Sequence, residues 1–262
     1  MNPAPQPSRL AQHAKVGGFH LVYADDSLLV LNKPSGLLAV PGRGEDKQDC
    51  LSRRVQRRFP DALIVHRLDM ATSGLMLMAR GIGMQRALSR LFERREVYKR
   101  YLAVVEGHPV QAPGPDGWSL IDLPIGLDWP RRPLRIIDAE NGKPSQTRWR
   151  TIAFDESANT ARLELEPLTG RSHQLRVHLQ AMGHSILGDA LYAPAAVQAK
   201  AARLLLHASV LRFGHPDGGA AMHFESTPGS ATTTATCAAW PTMPQGVTSS
   251  APSPASGSAI RA

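Results

Sequence analysis

Between Thr160 and Met182 the hydrophobic period of the chain changes from two to 3.6. No other stretch constrains the fold as much. Along residues 160–168, Leu163 and Leu165 fall on one side of an extended chain, and Arg162, Glu164 and Glu166 on the other. Successive strand residues point to opposite faces, so this is a half-exposed strand. From residue 171 to 182, Leu175, Leu179 and Met182 predict a helix with one apolar stripe, and Gly183 stands where a left-handed cap would end it. The same two periods recur elsewhere. Residues 146–154 alternate, and 97–106 are β-rich. Residues 19–23 and 28–31 flank an Asp-Asp-Ser turn and read as a hairpin. Residues 75–78 form a short buried strand, and 204–213 another, with 222–224 as a further short strand. Helices are expected at 48–58, 82–95 and 194–202. Strands and helices mix without regular βαβ alternation, so the class is α+β.

The first 17 residues read as a flexible arm. Beyond residue 227 the composition shifts to Ala, Ser, Thr, Pro and Gly, with Arg261 the only charge. Such a segment cannot build a core, so 228–262 is expected to be a disordered low-complexity tail, leaving 18–227 as one catalytic-sized domain. Of the net charge of +8, +7 therefore belongs to the folded part, where 29 basic face 22 acidic residues. Arginines and lysines cluster at 53–58, 94–100 and 131–135. Charge of this kind suits a polyanion and equally a plain solvated basic face. Two unspaced cysteines imply no disulfide framework. With no long apolar run and no signal-like N-terminus, neither a membrane span nor export is expected, and the cytoplasm is.

Familiar cofactor signatures fail on spacing. Gly81-Ile82-Gly83 has Arg86 where a dinucleotide loop needs glycine, and there is no phosphate-binding P-loop sequence. His173 and His178 are about 140° apart on a helix and share no face. No metal site and no cofactor are expected. Two segments carry chemistry. In residues 66–74 Asp69 stands beside Arg67, ahead of a Thr-Ser-Gly turn; locally it reads more simply as a turn-capping carboxylate. In residues 168–178 Arg171, Gln174 and His178 share one helical face, which fits a solvated face or a helix start aimed at an anion.

Taken together, residues 31–42 (LNKPSGLLAVPG), 66–80 (HRLDMATSGLMLMAR), 98–107 (YKRYLAVVEG), 142–147 (GKPSQT), 168–192 (LTGRSHQLRVHLQAMGHSILGDALY) and 203–213 (RLLLHASVLRF) resemble, in order, the motifs of the RluA family of pseudouridine synthases. The resemblance covers about residues 18–226. It implies a mixed, largely antiparallel sheet with flanking helices and a basic active-site cleft. It implies isomerisation of uridine to pseudouridine in structured RNA, namely large-subunit ribosomal RNA or a tRNA anticodon stem-loop, by a monomer without cofactor. It places the nucleophile at Asp69, a pairing arginine at Arg171 and the active-site tyrosine at Tyr101. Leu175 becomes an apolar wall, and Arg67, Lys33 and His66 become substrate-binding positions. Arg67 would fill the gap left by the flipped base; Lys33 would contact a phosphate or support its own turn. Two rivals remain: an RNA-binding protein without catalysis, and an RNA N-glycosidase, which needs a second carboxylate to activate water.

Overall fold

The computed structural model describes residues 14–16, 18–229 and 233–237, the first and last of these as backbone only. In chain order the elements are β1 (Ala14–Val16), β2 (Phe19–Ala24), β3 (Leu28–Lys33), α1 (Leu51–Gln56), β4 (Ala62–Ile64), β5 (Ser73–Arg80), α2 (Gly81–Glu93), β6 (Tyr98–Glu106) and β7 (Ser119–Asp122). There follow β8 (Ile125–Leu127), β9 (Arg135–Ile137), β10 (Gln146–Asp155), β11 (Thr160–Pro167), α3 (Gln174–Ala181), α4 (Ala195–Gln198), β12 (Leu206–Gly214), β13 (Ala221–Ser226) and β14 (Thr233–Cys237).

One sheet runs β1-β2-β3-β5-β12-β6-β11-β10-β7, with β4 beside β5, β13 beside β12 and β14 beside β13; β8 and β9 form a separate hairpin. Every pairing is antiparallel except β5 with β12. The architecture is thus the mixed, largely antiparallel sheet expected, with helices on its faces. Strand β5 is apolar without alternation because both its faces are covered. Met76 and Met78 join Phe19, Leu29, Leu31 and α1 in one core, while Leu75, Leu77 and Ala79 join Leu88 of α2 and Phe224 in another. Beyond β12 a third core holds Val105, Leu163, Leu165 and Trp149 against Leu175 and Leu179 of α3.

The sheet thus has two halves, and they meet where β5 lies parallel to β12. There Gly74, at φ 113°, sits against Ala208; an added Cβ would come within 2.3 Å of the Ala208 carbonyl oxygen. Only glycine permits that approach. It fixes the start of β5, and hence the loop carrying Asp69, against the central strand.

Several elements differ from the expected pattern. The helix expected from Arg171 begins at Gln174, because His173 is left-handed (φ 59°, ψ 13°) and turns the chain before the helix. Residues 174–179 are all buried, so the polar side of α3 is not a solvated face. Gln174 donates to Gln146 O at 2.9 Å and Thr147 Oγ1 at 3.0 Å, and His178 Nδ1 lies 2.9 Å from Thr147 Oγ1. The helix expected over 194–202 is one turn, Ala195–Gln198. Finally, β1 lies in the segment expected as an arm and β14 in the segment expected as a tail. Both add to existing edges, β1 to β2 and β14 to β13. Thr233, Thr234 and Thr236 are β-branched and suit a strand that borrows its hydrogen bonds from a neighbour. The rest of the expected arm and tail lies outside the described residues.

Candidate active site

Asp69 sits in the loop between β4 and β5. Leu68 is buried in the first core and anchors this loop from within. The turn at residues 33–36 anchors it from outside. Gly36 N–H donates to Met70 O at 2.9 Å, and Ser35 Oγ to Ala71 O at 2.7 Å. Lys33 is fully buried, and its ammonium donates to Pro34 O and Leu37 O at 2.8 Å each and to Met70 O at 3.0 Å. Its three N–H groups are all used on protein carbonyls. Lys33 thus does what the second of its two expected roles asks: it supports its own turn and ties it to the residue after Asp69. Burial pushes its pKa down to about 8, against the pull of the Asp69 charge.

Two side chains face the Asp69 carboxylate. Arg176 Nη1 is 3.6 Å from Oδ2, and His173 Nε2 is 3.9 Å from Oδ1. Arg176 is almost wholly buried, and it holds the buried Asp189 through Nε at 2.8 Å and Nη2 at 2.5 Å. Asp189 thus pins one edge of the guanidinium and leaves Nη1 for Asp69, the planar fork that arginine offers and lysine does not. Asp189 also accepts the N–H groups of Leu191 and Tyr192. Arg171 does not pair with Asp69. It is exposed on the approach to α3, and its Nε donates to Pro144 O at 3.3 Å. The pairing expected of Arg171 falls to Arg176.

Asp69 opens into a cleft of about 970 Å³. Tyr101, Leu175 and Leu206 form its apolar walls, and Arg67, Arg95, Lys99 and Arg171 line its basic parts. Tyr101 lies on β6 opposite Ala208 of β12, so the seam between the half-sheets delivers it beside Asp69. Burial, and then the Asp69 charge, raise its pKa, so the phenol is protonated at neutral pH. Leu175 is buried at the start of α3, where an apolar wall was expected. Arg67 is exposed, two residues from Asp69. His66 borders the cleft, but its Nε2 accepts the Leu77 N–H at 2.9 Å and its ring stacks on Phe92 at 4.6 Å. Burial and nearby Lys99 push its pKa down to about 3. His66 is a neutral strut between β5 and α2 at the edge of the cleft. Among the described residues no cluster of three histidine, cysteine or acidic side chains is arranged to hold a metal, and no helix is long and apolar enough to cross a membrane.

Residues 27–181 match the family model described as RNA pseudouridylate synthase. The chain belongs to this family. It is an RNA pseudouridine synthase of the RluA type, an isomerase that converts uridine to pseudouridine in RNA. The dual-specificity RNA pseudouridine synthase RluA of Escherichia coli (strain K12) is 50% identical over 206 residues, covering 79% of this chain and 91% of that protein. The protein of the same name from Yersinia pestis is 49% identical over 205 residues, covering 78% and 97%. Among solved structures, human RNA pseudouridylate synthase domain containing 1 aligns with a TM-score of 0.63 at 28% identity, covering 88% of this chain and 86% of that one.

In this pseudouridine synthase the sequence reading missed Arg176, His173, Asp189 and Tyr192. Arg176 and His173 were inside a recognised motif. Their burial was not visible, because an arginine beside a leucine stripe reads as solvent-facing. Asp189 and Tyr192 belong to the GDALY run, 13 and 16 residues beyond Arg176, and lie past the matched region. The one available signal was a carboxylate in an otherwise apolar run, which a buried arginine would require.

Proposed function

We propose that Asp69 is the catalytic nucleophile and that this synthase acts on uridines of ribosomal RNA and of tRNA, as a cytoplasmic monomer. What carries the nucleophile assignment is a carboxylate at the cleft floor, with Arg176 on one side and the wall of Tyr101 and Leu175 on the other. The RNA classes rest on the dual-specificity name of the bacterial relatives and on the basic cleft lining.

The target uridine leaves its stack to reach the cleft, and the exposed guanidinium of Arg67 occupies the gap. Asp69 bonds to the nucleotide as the N1–C1′ bond breaks; the uracil turns, C5 bonds to C1′ and the Asp69 carboxylate is released; the C5 proton is then lost and N1 gains one. The net change is an isomerisation. Leu175 and Leu206 exclude the water that would hydrolyse C1′. Tyr101 begins as a neutral phenol, a stacking surface and hydrogen-bond donor. Burial, the larger cause of the raised phenol pKa, persists through the reaction, so Tyr101 acts on the turning uracil as a stacking surface and hydrogen-bonding phenol. Of the other carboxylates, Asp189 is buried and held by Arg176; Glu93, Glu96 and Glu166 also line the cleft, so release of free uracil is the readout that separates N-glycosidase chemistry from isomerisation.

The test is tritium release from RNA labelled at uridine C5, using large-subunit rRNA fragments and a tRNA anticodon stem-loop, with free uracil assayed in parallel. Tritium release from both RNAs without free uracil is expected. Free uracil as the main product would overturn the reading, and release from one RNA class alone would overturn its dual scope.

A further inference from the structure

His173 has an unusual backbone for its residue type. It is left-handed at φ 59°, a conformation that residues with a Cβ adopt rarely and that persists where the surroundings enforce it. Its ring meets Tyr192 edge-on, with centroids 5.5 Å apart at 80°, and its Nδ1 lies 2.6 Å from the Tyr192 hydroxyl. The Tyr192 oxygen also accepts the backbone N–H of Arg135 at 2.9 Å. A backbone N–H can only donate, so the phenol hydrogen remains to be placed. Among the described residues the acceptor in reach is His173 Nδ1. A neutral imidazole that accepts at Nδ1 carries its hydrogen on Nε2. That nitrogen is 3.9 Å from Asp69 Oδ1.

We propose that Tyr192 and His173 form a hydrogen-bond relay that positions the Asp69 carboxylate, Tyr192 setting the tautomer that aims Nε2–H at Oδ1. The proposal rests on the reading of Asp69 as the catalytic carboxylate. At 3.9 Å the last contact is too long for a hydrogen bond, and such contacts shorten when a substrate fills the site. With it closed, Arg176 holds Oδ2, His173 holds Oδ1, and the carboxylate cannot rotate. Burial is the main reason His173 is a neutral donor; Arg176 on α3 and Arg135 on β9 oppose its protonation, and Asp69 and Asp189 favour it. A neutral donor orients Asp69 without adding a second full cation that would weaken it as a nucleophile. The relay also ties the hairpin of β8 and β9, through Arg135, to the centre of the cleft.

Tyr192→Phe removes the hydroxyl and keeps the ring, over which Arg176 lies at 4.9 Å. The turnover number of this variant is expected to fall about 10-fold, in the range of a lost orienting hydrogen bond, with KM for RNA within about twofold. Its pH profile is the distinguishing readout. Without Tyr192 the ring is free to move its hydrogen to Nδ1 and turn a lone pair toward Asp69. Protonation puts hydrogen back on Nε2, and burial moves that step below the ordinary histidine range, so turnover of Tyr192→Phe, relative to wild type, should recover as pH falls below about 6. His173→Asn tolerates the left-handed backbone and is too short to reach Asp69; it should lose turnover with no recovery in acid. Nitrogen-15 shifts of the wild-type imidazole should show hydrogen on Nε2 at pH 7. Hydrogen on Nδ1, a Tyr192→Phe protein with wild-type turnover and pH profile, or an effect confined to KM would each overturn the proposal. If Tyr192→Phe does not fold, the wild-type nitrogen-15 spectrum decides. That spectrum does not depend on Asp69 being the nucleophile, whereas an active Asp69→Asn enzyme would remove that premise.

Discussion

Five residues separate Arg171 from Arg176, and the left-handed turn at His173 sends them to different places. Arg171 stays at the cleft edge, while Arg176 goes into the core, between Asp69 and Asp189. Arg176→Lys keeps a charge but loses the fork that grips both carboxylates. Turnover should fall on the order of 100-fold, the usual consequence of a misplaced catalytic group. Arg171→Lys should leave turnover within about threefold and show mainly in RNA affinity. Steady-state kinetics on both variants decide between the two arginines. Asp69, Tyr101 and Leu175 were named from the motif resemblance, and the fold brings these three distant segments to one cleft. Arg176 was not, because its partner Asp189 becomes adjacent only after α3 turns back. Lys33 was named with two roles open, because burial and three carbonyl acceptors belong to the turn's geometry and leave no mark on sequence.

Among the elements, the turn at residues 33–36 and helix α2 carry separate tasks. Lys33→Met removes the ammonium that joins three carbonyls, and the buried oxygens lose their donor. A stability loss of about 1–3 kcal/mol is expected, read from denaturant unfolding, together with lower turnover as the Asp69 loop loosens. Helix α2 exposes Arg86, Arg90 and Arg94 at four-residue spacing, and Arg95 continues into the cleft. Like charges four apart weaken a helix unless an anion compensates. Replacing Arg94 and Arg95 by Gln should lower the salt slope of RNA binding by about one to two and leave turnover at saturating RNA unchanged. The period-two and period-3.6 signals located most elements. They failed at the start of α3, where a left-handed histidine interrupts the pattern, and at β7, β8 and β9, which at three or four residues are too short to show a period.

At the scale of the whole molecule, two half-sheets meet at the parallel pair of β5 and β12, and Asp69, Tyr101 and Arg176 converge on that seam from both halves. His207 stands in it, between Ser73 and Ser226, and burial pushes its pKa down to about 4. His66, at about 3, is likewise neutral when folded. Both bind protons more readily in the unfolded chain. Their contribution is complete above pH ~6.5 and is lost as pH falls toward ~4, at up to about 1.4 kcal/mol per pH unit for each. His215, whose pKa the Asp25 hydrogen bond raises, has the opposite sign but is a single group. The melting temperature should therefore fall steeply below pH ~6.5. Removing residues 230–262 takes away β14 and bares the edge of β13. Melting should drop by about 2–5 °C and solubility should suffer, with turnover kept. The most direct test of the whole account is tritium release from C5-labelled RNA by wild-type protein and by Asp69→Asn at equal RNA occupancy. The variant has nearly the same shape and lacks the charge. The expected result is no detectable tritium release from fully bound RNA, beside steady release by the wild type. Sustained turnover by Asp69→Asn would contradict the account at its centre.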